Sequence, residues 1–268
     1  MGLFLASLLS MAGLAVFFAA VLAVADKKLR VEEDPMITRV NSLLPGVNCG
    51  ACGALSCHDF AERVIKEGED PGKCRVIGEE AREELYRLTG AEEADEAPVV
   101  ALVNCAAERE HKPASADYNG IQTCSAANLV FGAGMECQYG CMGFGDCVKV
   151  CPFDAIHMEK GLPRVDYDKC TGCGKCAEAC PRGIIAMQKA EYDQLFHVAC
   201  SSKDPLLRVR KICPVGCIAC GVCEKLSEEK YFTVKDNLSY PDYSKQGDPE
   251  KIRPLAAKCP TKVIKEIQ

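Results

Sequence analysis

The densest cysteine run in this 268-residue chain, Cys170-x2-Cys173-x2-Cys176-x3-Cys180-Pro181, constrains its fold more than any other feature. In iron–sulfur proteins with this spacing, the first three thiolates bind one [4Fe–4S] cluster and the cysteine before proline binds another. Structural zinc sites typically use pairs of cysteines, and three cysteines with this spacing are not typical of them. The chain contains 20 Cys, no Trp and only 6% aromatic residues, so its apolar core is small for its length. Metal centres are therefore predicted to hold the fold together.

Residues 147–152 form an upstream copy of this run and repeat its Cys-x3-Cys-Pro ending. Short strands are predicted after both copies, near residues 155–158 and 184–187. Two such halves make up bacterial ferredoxins, so we predict a two-cluster ferredoxin domain over residues 137–190. Strict repetition requires a cysteine where the chain has Phe144, and we assign that place to Cys137. The predicted ligands are Cys137, Cys141, Cys147 and Cys180 for one cluster and Cys151, Cys170, Cys173 and Cys176 for the other.

Residues 32–92 are predicted to form a small helical domain with its own [4Fe–4S] cluster. Helices are expected over residues 59–68 and 79–88, and the cysteines follow the pattern C-x2-C-x4-C-x16-C. Zinc sites usually carry two C-x2-C pairs, whereas this segment has one pair and two single cysteines; a structural zinc is the alternative. The predicted ligands are Cys49, Cys52, Cys57 and Cys74.

Residues 213–268 resemble a third, degenerate copy of the module. A C-x2-C-x2-C run is intact, but Ser227 stands where the fourth cysteine belongs and Gln246 stands where a following cluster would begin. Both losses fall on the same cluster, and the other keeps a complete ligand set. One cluster is therefore predicted, with a decayed module without metal as the alternative. Its ligands are Cys217, Cys220, Cys223 and Cys259.

Two segments join these domains. Residues 93–136 are predicted to be a linker and a connecting segment. An acidic stretch at residues 91–98 leads into the linker, and a buried strand is predicted at 99–103. Residues 191–212 are a second connecting segment. Four cysteines remain outside the assigned sets and either bind a fifth cluster or are buried structural thiols. They are Cys105, Cys124, Cys200 and Cys213.

Residues 1–25 are predicted to be a transmembrane anchor that contacts membrane lipid. No charge occurs from Gly2 to Ala25, whereas Lys27, Lys28 and Arg30 follow directly. The positive-inside rule then places the N-terminus outside and the iron–sulfur domains in the cytoplasm. A cleaved signal peptide is the alternative, although no basic residues precede the apolar run.

The charge and motifs exclude several classes of function. A net charge of −6 argues against a nucleic-acid binder. The chain shows no nucleophile elbow, phosphate-binding loop or credible dinucleotide fingerprint, and no catalytic residue is assigned. Four thiolates per cluster leave no iron open, which favours one-electron transfer. The predicted fold is α+β: one N-terminal transmembrane helix, a small helical Fe–S domain, and ferredoxin-type modules, one intact and one degenerate.

The motif at residues 44–53, Leu-Pro-Gly-Val-Asn-Cys-Gly-Ala-Cys-Gly, follows an apolar helix and precedes ferredoxin-type runs. This arrangement resembles the B subunit of the Rnf electron transport complex, in its longer, multi-cluster form. The resemblance covers essentially the whole chain and implies four [4Fe–4S] clusters, or five, on the cysteines above.

The resemblance also implies a function. Such a complex couples electron flow between reduced ferredoxin and NAD to the movement of Na⁺ or H⁺ across the inner (cytoplasmic) membrane. This subunit would accept electrons from soluble ferredoxin and pass them to partner subunits, some of which bind flavin and NADH. The alternatives are a polyferredoxin subunit of another membrane reductase or hydrogenase complex, and a zinc-stabilised scaffold. The densest basic stretch, residues 203–211, is either a docking site for an acidic donor or a solvated loop.

Overall fold

The computed structural model describes residues 2–29, 34–91, 99–189, 195–227, 230–245 and 248–267. Most of the predicted acidic linker lies outside these residues, as do Gln246 and residues 191–194 of the second connecting segment.

The N-terminal segment forms one long helix, α1 (Gly2–Leu29). Its portion from Ser7 to Lys28 is long and apolar enough to cross a membrane, a property that it shares with signal sequences. Lys27 and Lys28 lie in the last turn, where cations interact favourably with the helix dipole. The predicted anchor is therefore helical and extends a few residues beyond position 25.

Three helices build the first cysteine domain: α2 (Pro35–Leu43), α3 (Cys57–Lys66) and α4 (Glu79–Thr89). The N-cap of α3 is Ser56, whose Oγ accepts a hydrogen bond from the Asp59 N–H at 3.0 Å. The apolar faces of the helices bury Ile37, Phe60 and Leu85. These side chains pack against the domain's own thiols in a single core.

The next part of the chain, residues 99–189, consists of short elements. In chain order they are β1 (Val99–Val103), α5 (Cys124–Leu129), α6 (Asp146–Lys149), β2 (Ile156–Glu159), β3 (Leu162–Val165), α7 (Lys175–Glu178) and β4 (Ile185–Lys189). β1 pairs antiparallel with β4, and β2 forms a hairpin with β3. The hairpin turn is Lys160-Gly161, and both residues have the positive φ that a type I′ turn requires. We call this part the first half.

The second half, residues 195–267, follows the same plan. Its elements are β5 (Phe196–Val198), α8 (Leu206–Ile212), α9 (Val222–Leu226), β6 (Phe232–Lys235), β7 (Leu238–Pro241), α10 (Pro249–Ala257) and β8 (Ile264–Glu266). β5 pairs antiparallel with β8, and β6 forms a hairpin with β7 through Asp236 and Asn237, again with positive φ. The first and last strands therefore pair in both halves, and the hairpin lies between them.

Both halves begin earlier than the predicted boundaries at residues 137 and 213. The predicted strand at 99–103 is confirmed as β1, but β1 belongs to the first half because every residue of it pairs with β4. β5, which lies within the predicted second connecting segment, pairs with β8 and belongs to the second half for the same reason. An apolar strand buries its backbone most favourably when a partner strand satisfies its hydrogen bonds.

Thiols form much of the interior of the first half. The core joins Cys105, Cys141, Cys147 and Cys176 to aliphatic side chains such as Ile156 and Leu162. The second half has a more conventional core, with Phe196 and Phe232 buried beside Cys217. The positions of the thiols are therefore fixed by the same packing that fixes the strands.

Candidate iron–sulfur centres

All 20 cysteines are free thiols, and their grouping can be followed through the fold. The first set lies in the N-terminal domain, where Cys74 is within electrostatic reach of the three thiols of the Asn48–Ser56 loop and the start of α3. Burial, followed by these neighbouring thiols, raises the pKa of Cys74 to about 11. The Asn48 side chain orders the loop by accepting a hydrogen bond from the Cys57 N–H at 2.8 Å. The first set is Cys49, Cys52, Cys57 and Cys74.

The third set combines cysteines from both runs of the first half. Burial raises the pKa of Cys176 to about 11, and the nearby thiols of Cys170, Cys173 and Cys151 add to the shift. Cys151 also accepts a hydrogen bond from the Ala155 N–H at 3.4 Å. The structure thus brings together the predicted members Cys151, Cys170, Cys173 and Cys176.

The fourth set lies in the second half, where its four thiols line one pocket between β7, α9 and the segment before β8. Cys223 Sγ lies 3.1 Å from the Ser239 hydroxyl, and Cys217 is buried. Ser227, at the lost ligand position, instead accepts a hydrogen bond from the Phe232 N–H at 3.1 Å. The predicted members Cys217, Cys220, Cys223 and Cys259 are thus brought together.

The second set differs from the prediction. Cys141, Cys147 and Cys180 line a common pocket, but the fourth thiol in that pocket belongs to Cys124. Cys137, which was assigned this place, lines a different pocket with Cys105, Cys200 and Cys213. The structure therefore exchanges Cys124 and Cys137 between the predicted sets. The second set is Cys124, Cys141, Cys147 and Cys180, and we call the other group the junction set: Cys105, Cys137, Cys200 and Cys213.

Asp146 accounts for the position of Cys124. Thr123 caps α5, so Cys124 is the first residue of that helix. Asp146 Oδ2, at the start of α6, accepts a hydrogen bond from the Ser125 N–H at 2.9 Å. This contact fastens the start of α5 beside α6, which carries Cys147. Hydrogen bonds from the Ser125 and Cys124 backbones outweigh the opposing effect of burial, so the pKa of Asp146 is lowered and the residue is an anion near neutral pH.

Arg182 accounts for the position of Cys137. Its guanidinium donates hydrogen bonds to the carbonyls of Cys137 at 2.9 Å, Gly140 at 2.6 Å and Gly132 at 3.3 Å. The loop over residues 132–140 is therefore folded around one half-buried cation. Burial lowers the pKa of Arg182, whereas the nearby thiols of both the second set and the junction set act to raise it. No cysteine spacing signals this residue, which directly follows Cys180-Pro181.

The chemistry of these sets fits iron–sulfur clusters. Each offers four thiols, the donor number that a [4Fe–4S] cluster takes. Burial, together with neighbouring thiols, raises the pKa of Cys147 to about 12, so this thiol is protonated near neutral pH without metal, and metal binding must displace its proton. Within the described residues, no group of three or more His, Cys, Asp or Glu side chains is arranged to hold a single metal ion.

We expect Asp146→Ala to weaken iron retention at the second set. Without the carboxylate, the Ser125 N–H loses its acceptor and Cys124 is no longer held beside α6. Loss of about four irons to a chelator should become about tenfold faster, as for other residues that orient metal ligands. Asp146→Asn keeps an acceptor oxygen in the same place and should release iron at close to the unmodified rate. If the alanine variant also retained the unmodified rate, Asp146 would have no such role.

Two family models match the chain. The model described as "Putative Fe-S cluster" matches residues 44–76, which contain the whole first set. The model described as "4Fe-4S binding domain" matches residues 163–186, which contain the second cysteine run of the first half. The chain thus contains iron–sulfur domains in both its N-terminal domain and its first half.

Two of the curated relatives match most of the chain. The B subunit of the ion-translocating oxidoreductase complex of Methanosarcina acetivorans is 38% identical over 220 residues, which cover 82% of this chain and 83% of the relative. The B subunit of the proton-translocating ferredoxin:NAD(+) oxidoreductase complex of Clostridium ljungdahlii is 38% identical over 254 residues, covering 94% of this chain and 88% of the relative. The Na(+)-translocating counterpart of Acetobacterium woodii is 38% identical over 155 residues, covering 58% of this chain and 46% of the relative. The chain therefore belongs to the family of B subunits of ion-translocating, Rnf-type oxidoreductase complexes.

Proposed function

We propose that this chain is a membrane-anchored electron-transfer subunit that accepts electrons from reduced ferredoxin. It passes them to partner subunits of an ion-translocating complex that carry the flavin and NADH sites. The observation that supports this most strongly is the grouping of the thiols into sets of four, in a family whose members are named as ferredoxin:NAD(+) oxidoreductase subunits. The first, second, third and fourth sets would each hold one [4Fe–4S] cluster, in an intact ferredoxin-type module and a degenerate one.

The chain's own residues hold the clusters and set their surroundings. A bound [4Fe–4S] cluster supplies reversible one-electron transfer. Four thiolates would ligate all four irons of such a cluster, so the sets would leave no site for bond-making chemistry. The Ala155 N–H to Cys151 Sγ and the Ser239 hydroxyl beside Cys223 Sγ are polar contacts of the kind that tune cluster potentials. The half-buried Arg182 guanidinium places a positive charge close to the second set.

The membrane orientation follows from the charges around α1. Lys27 and Lys28 lie in the last turn of the helix, whereas no charged side chain precedes Asp26 in the sequence. With positive residues on the cytoplasmic side, the N-terminus is outside and all thiol sets lie on the cytoplasmic face of the inner membrane. This is the compartment in which soluble ferredoxin is available and thiols stay reduced.

A basic, partly apolar helix is the best candidate for the ferredoxin-docking site. α8 buries Val209 and Ile212, which line the pocket of the junction set, and exposes 80% of Leu207. Arg210 and Lys211 lie in its last turn. Ferredoxins are usually acidic, so an exposed leucine among cations offers both steering and an apolar anchor close to a group of thiols.

The double variant Arg210→Glu/Lys211→Glu should slow oxidation of reduced ferredoxin by about tenfold or more at low salt, because two attractive charges become repulsive. It should also flatten the dependence of the rate on ionic strength. Stopped-flow mixing of reduced ferredoxin with the full chain in detergent measures both effects. The matched control is Lys189→Glu, which should leave the rate unchanged. Lys189 pairs with Val99, at the other end of the β1–β4 pair from Val103 and Ile185.

Two results would contradict the proposal at different levels. An unchanged rate and salt dependence in the double variant would exclude α8 as the docking site. If the unmodified chain with its iron in place did not oxidise reduced ferredoxin at all, the donor itself would be wrong.

A further inference from the structure

The junction set lies where the two halves meet. Its four thiols line a single pocket, to which Val209 and Ile212 of α8 and Met135 also contribute. The halves are in direct contact there, because the Ser201 hydroxyl donates a hydrogen bond to the Asn104 carbonyl at 3.0 Å. The pocket is therefore bounded by both halves, and neither half alone supplies all four thiols.

Each half contributes one thiol just after its first strand. Cys105 follows β1 and Cys200 follows β5. Their backbone N–H groups donate to the carbonyls of the last strand residues, Val103 at 2.9 Å and Val198 at 2.8 Å. The same local turn thus places a cysteine at the same point of each half.

Each half also contributes one thiol just before its first cluster-binding cysteine run, which begins at Cys141 in the first half and at Cys217 in the second. Cys137 precedes Cys141, and Cys213 precedes Cys217, at identical Cys-x3-Cys spacing. The four thiols are therefore two matched pairs, related by the internal repeat of the chain. Unrelated structural thiols have no reason to repeat in this way and to meet in one pocket.

The backbone N–H donors around the first matched pair, Cys105 and Cys200, repeat as well. The Cys141 N–H points at Cys105 Sγ at 3.5 Å, and the Cys217 N–H makes the equivalent contact with Cys200 Sγ. The Ser202 N–H adds a second donor to Cys200 Sγ at 3.4 Å. Amide hydrogen bonds to sulfur are a common feature of [4Fe–4S] sites, where they stabilise the thiolates and the cluster.

The second matched pair, Cys137 and Cys213, has equivalent backbone donors and equivalent glycines. The N–H groups of Tyr139 and Gly140 face Cys137 Sγ, and those of Val215 and Gly216 face Cys213 Sγ. A Cβ on Gly140 would lie 3.3 Å from Cys137 Sγ, and one on Gly216 would lie 3.4 Å from Cys213 Sγ. Both loops therefore wrap closely around the sulfurs, as a cluster-binding loop must.

We propose that the junction set binds a fifth [4Fe–4S] cluster, held by Cys105, Cys137, Cys200 and Cys213 across the two halves. Binding joins four irons and four sulfides to the four sulfurs, and each thiol releases its proton as its Fe–S bond forms. The inference rests on the proposed function, because it takes the other four sets to be cluster sites of the same kind.

A fifth cluster there would lie between the second set and the fourth set. The Cys141 N–H to Cys105 Sγ contact joins the junction set to the second set, and the Cys217 N–H to Cys200 Sγ contact joins it to the fourth set. The second and third sets are neighbours through Cys147 and Cys176. The fourth set, at the far end of the chain, thus reaches the others through the junction.

The test is the iron and sulfide content of the full chain, purified without oxygen, in comparison with Cys200→Ala and Cys213→Ala. The unmodified chain should hold about twenty irons, and each variant should lose about one fifth of them. The spin count of the reduced protein by electron paramagnetic resonance should fall by the same fraction. About sixteen irons in the unmodified chain, or no loss in either variant, would overturn the proposal. The unmodified count decides alone if the variants do not fold.

Spectral grouping tests which thiol belongs where. Cys137→Ala should lose the same resonance component as Cys213→Ala, whereas Cys124→Ala should lose a different one. If Cys124→Ala and Cys213→Ala shared a component, Cys124 would belong to the junction and the proposed set would be wrong. Failure of the fifth cluster leaves about sixteen irons in a chain that still oxidises reduced ferredoxin, whereas failure of the proposed function leaves little iron or no oxidation of ferredoxin, so the two are distinguishable.

Discussion

Chelating the iron from the full chain in detergent should unfold most of residues 99–267. The elements in this region are very short: α6 and α7 have 4 residues each, and β5 and β8 have 3. Helices shorter than about 12 residues and isolated hairpins are marginal in water. Because the core of the first half is built in part from thiols, the clusters must supply cohesion that apolar packing does not.

Circular dichroism and urea unfolding of the metal-free chain measure this effect. The cooperative transition of residues 99–267 should be lost, and readdition of iron and sulfide should restore it. α1, at 28 residues, is much longer and should retain its helical signal in detergent. A metal-free protein with an unchanged urea midpoint would show that the thiols pack as ordinary core residues.

Phe60→Ala should lower the free energy of unfolding of the N-terminal domain by about 3–5 kcal/mol, the usual cost of truncating a buried aromatic side chain. Phe60 lies on α3 with only 1% of its surface exposed and belongs to the same core as Cys57 and Cys74. The cavity would loosen two members of the first set, so about four irons should also be released more readily. Urea denaturation together with iron analysis measures both effects.

Leu55→Ala provides the matched control, because Leu55 lies in the same cysteine loop region but is 90% exposed. Its removal should change the free energy of unfolding by less than about 0.5 kcal/mol. If the two variants were equally stable, the apolar core would not hold the first domain together.

Local spacing was sufficient to group the thiols of the first, third and fourth sets. Most of their members lie in recognisable runs, and in the third and fourth sets the repeated order of strand, hairpin and strand brings the distant Cys-Pro ligand into place. The strands at β1, β2 and β4 and the helices α3 and α4 were also predicted close to where they occur. Apolar runs and glycine-marked turns determine these elements from nearby residues alone.

The exchange of Cys124 and Cys137 could not be predicted in the same way. Cys124 lies in no cysteine run, and its place depends on a hydrogen bond between Ser125 and Asp146. Cys137 is turned away by Arg182, a residue that no metal-binding pattern includes. Such contacts between distant segments appear only once the chain is folded.

A signal for the junction set was nevertheless present in the repeat. Cys213-x3-Cys217 matches Cys137-x3-Cys141, which suggests that Cys137 and Cys213 have equivalent roles. Spacing within the first half alone favoured Cys137 as a ligand of the second set. Comparison of the two halves instead pairs Cys137 with Cys213, as the folded chain does. The boundaries at residues 137 and 213 hid the equivalent strands β1 and β5, and with them Cys105 and Cys200.

Iron, acid-labile sulfide and zinc per chain, measured on the full protein purified without oxygen, test the central claim most directly. The account predicts iron and sulfide in equal amounts, at about twenty of each per chain with the fifth cluster, and no stoichiometric zinc; about sixteen would remove the fifth cluster alone. Little iron, with zinc present at about one ion per thiol set, would contradict an electron-transfer function and indicate a zinc-stabilised scaffold.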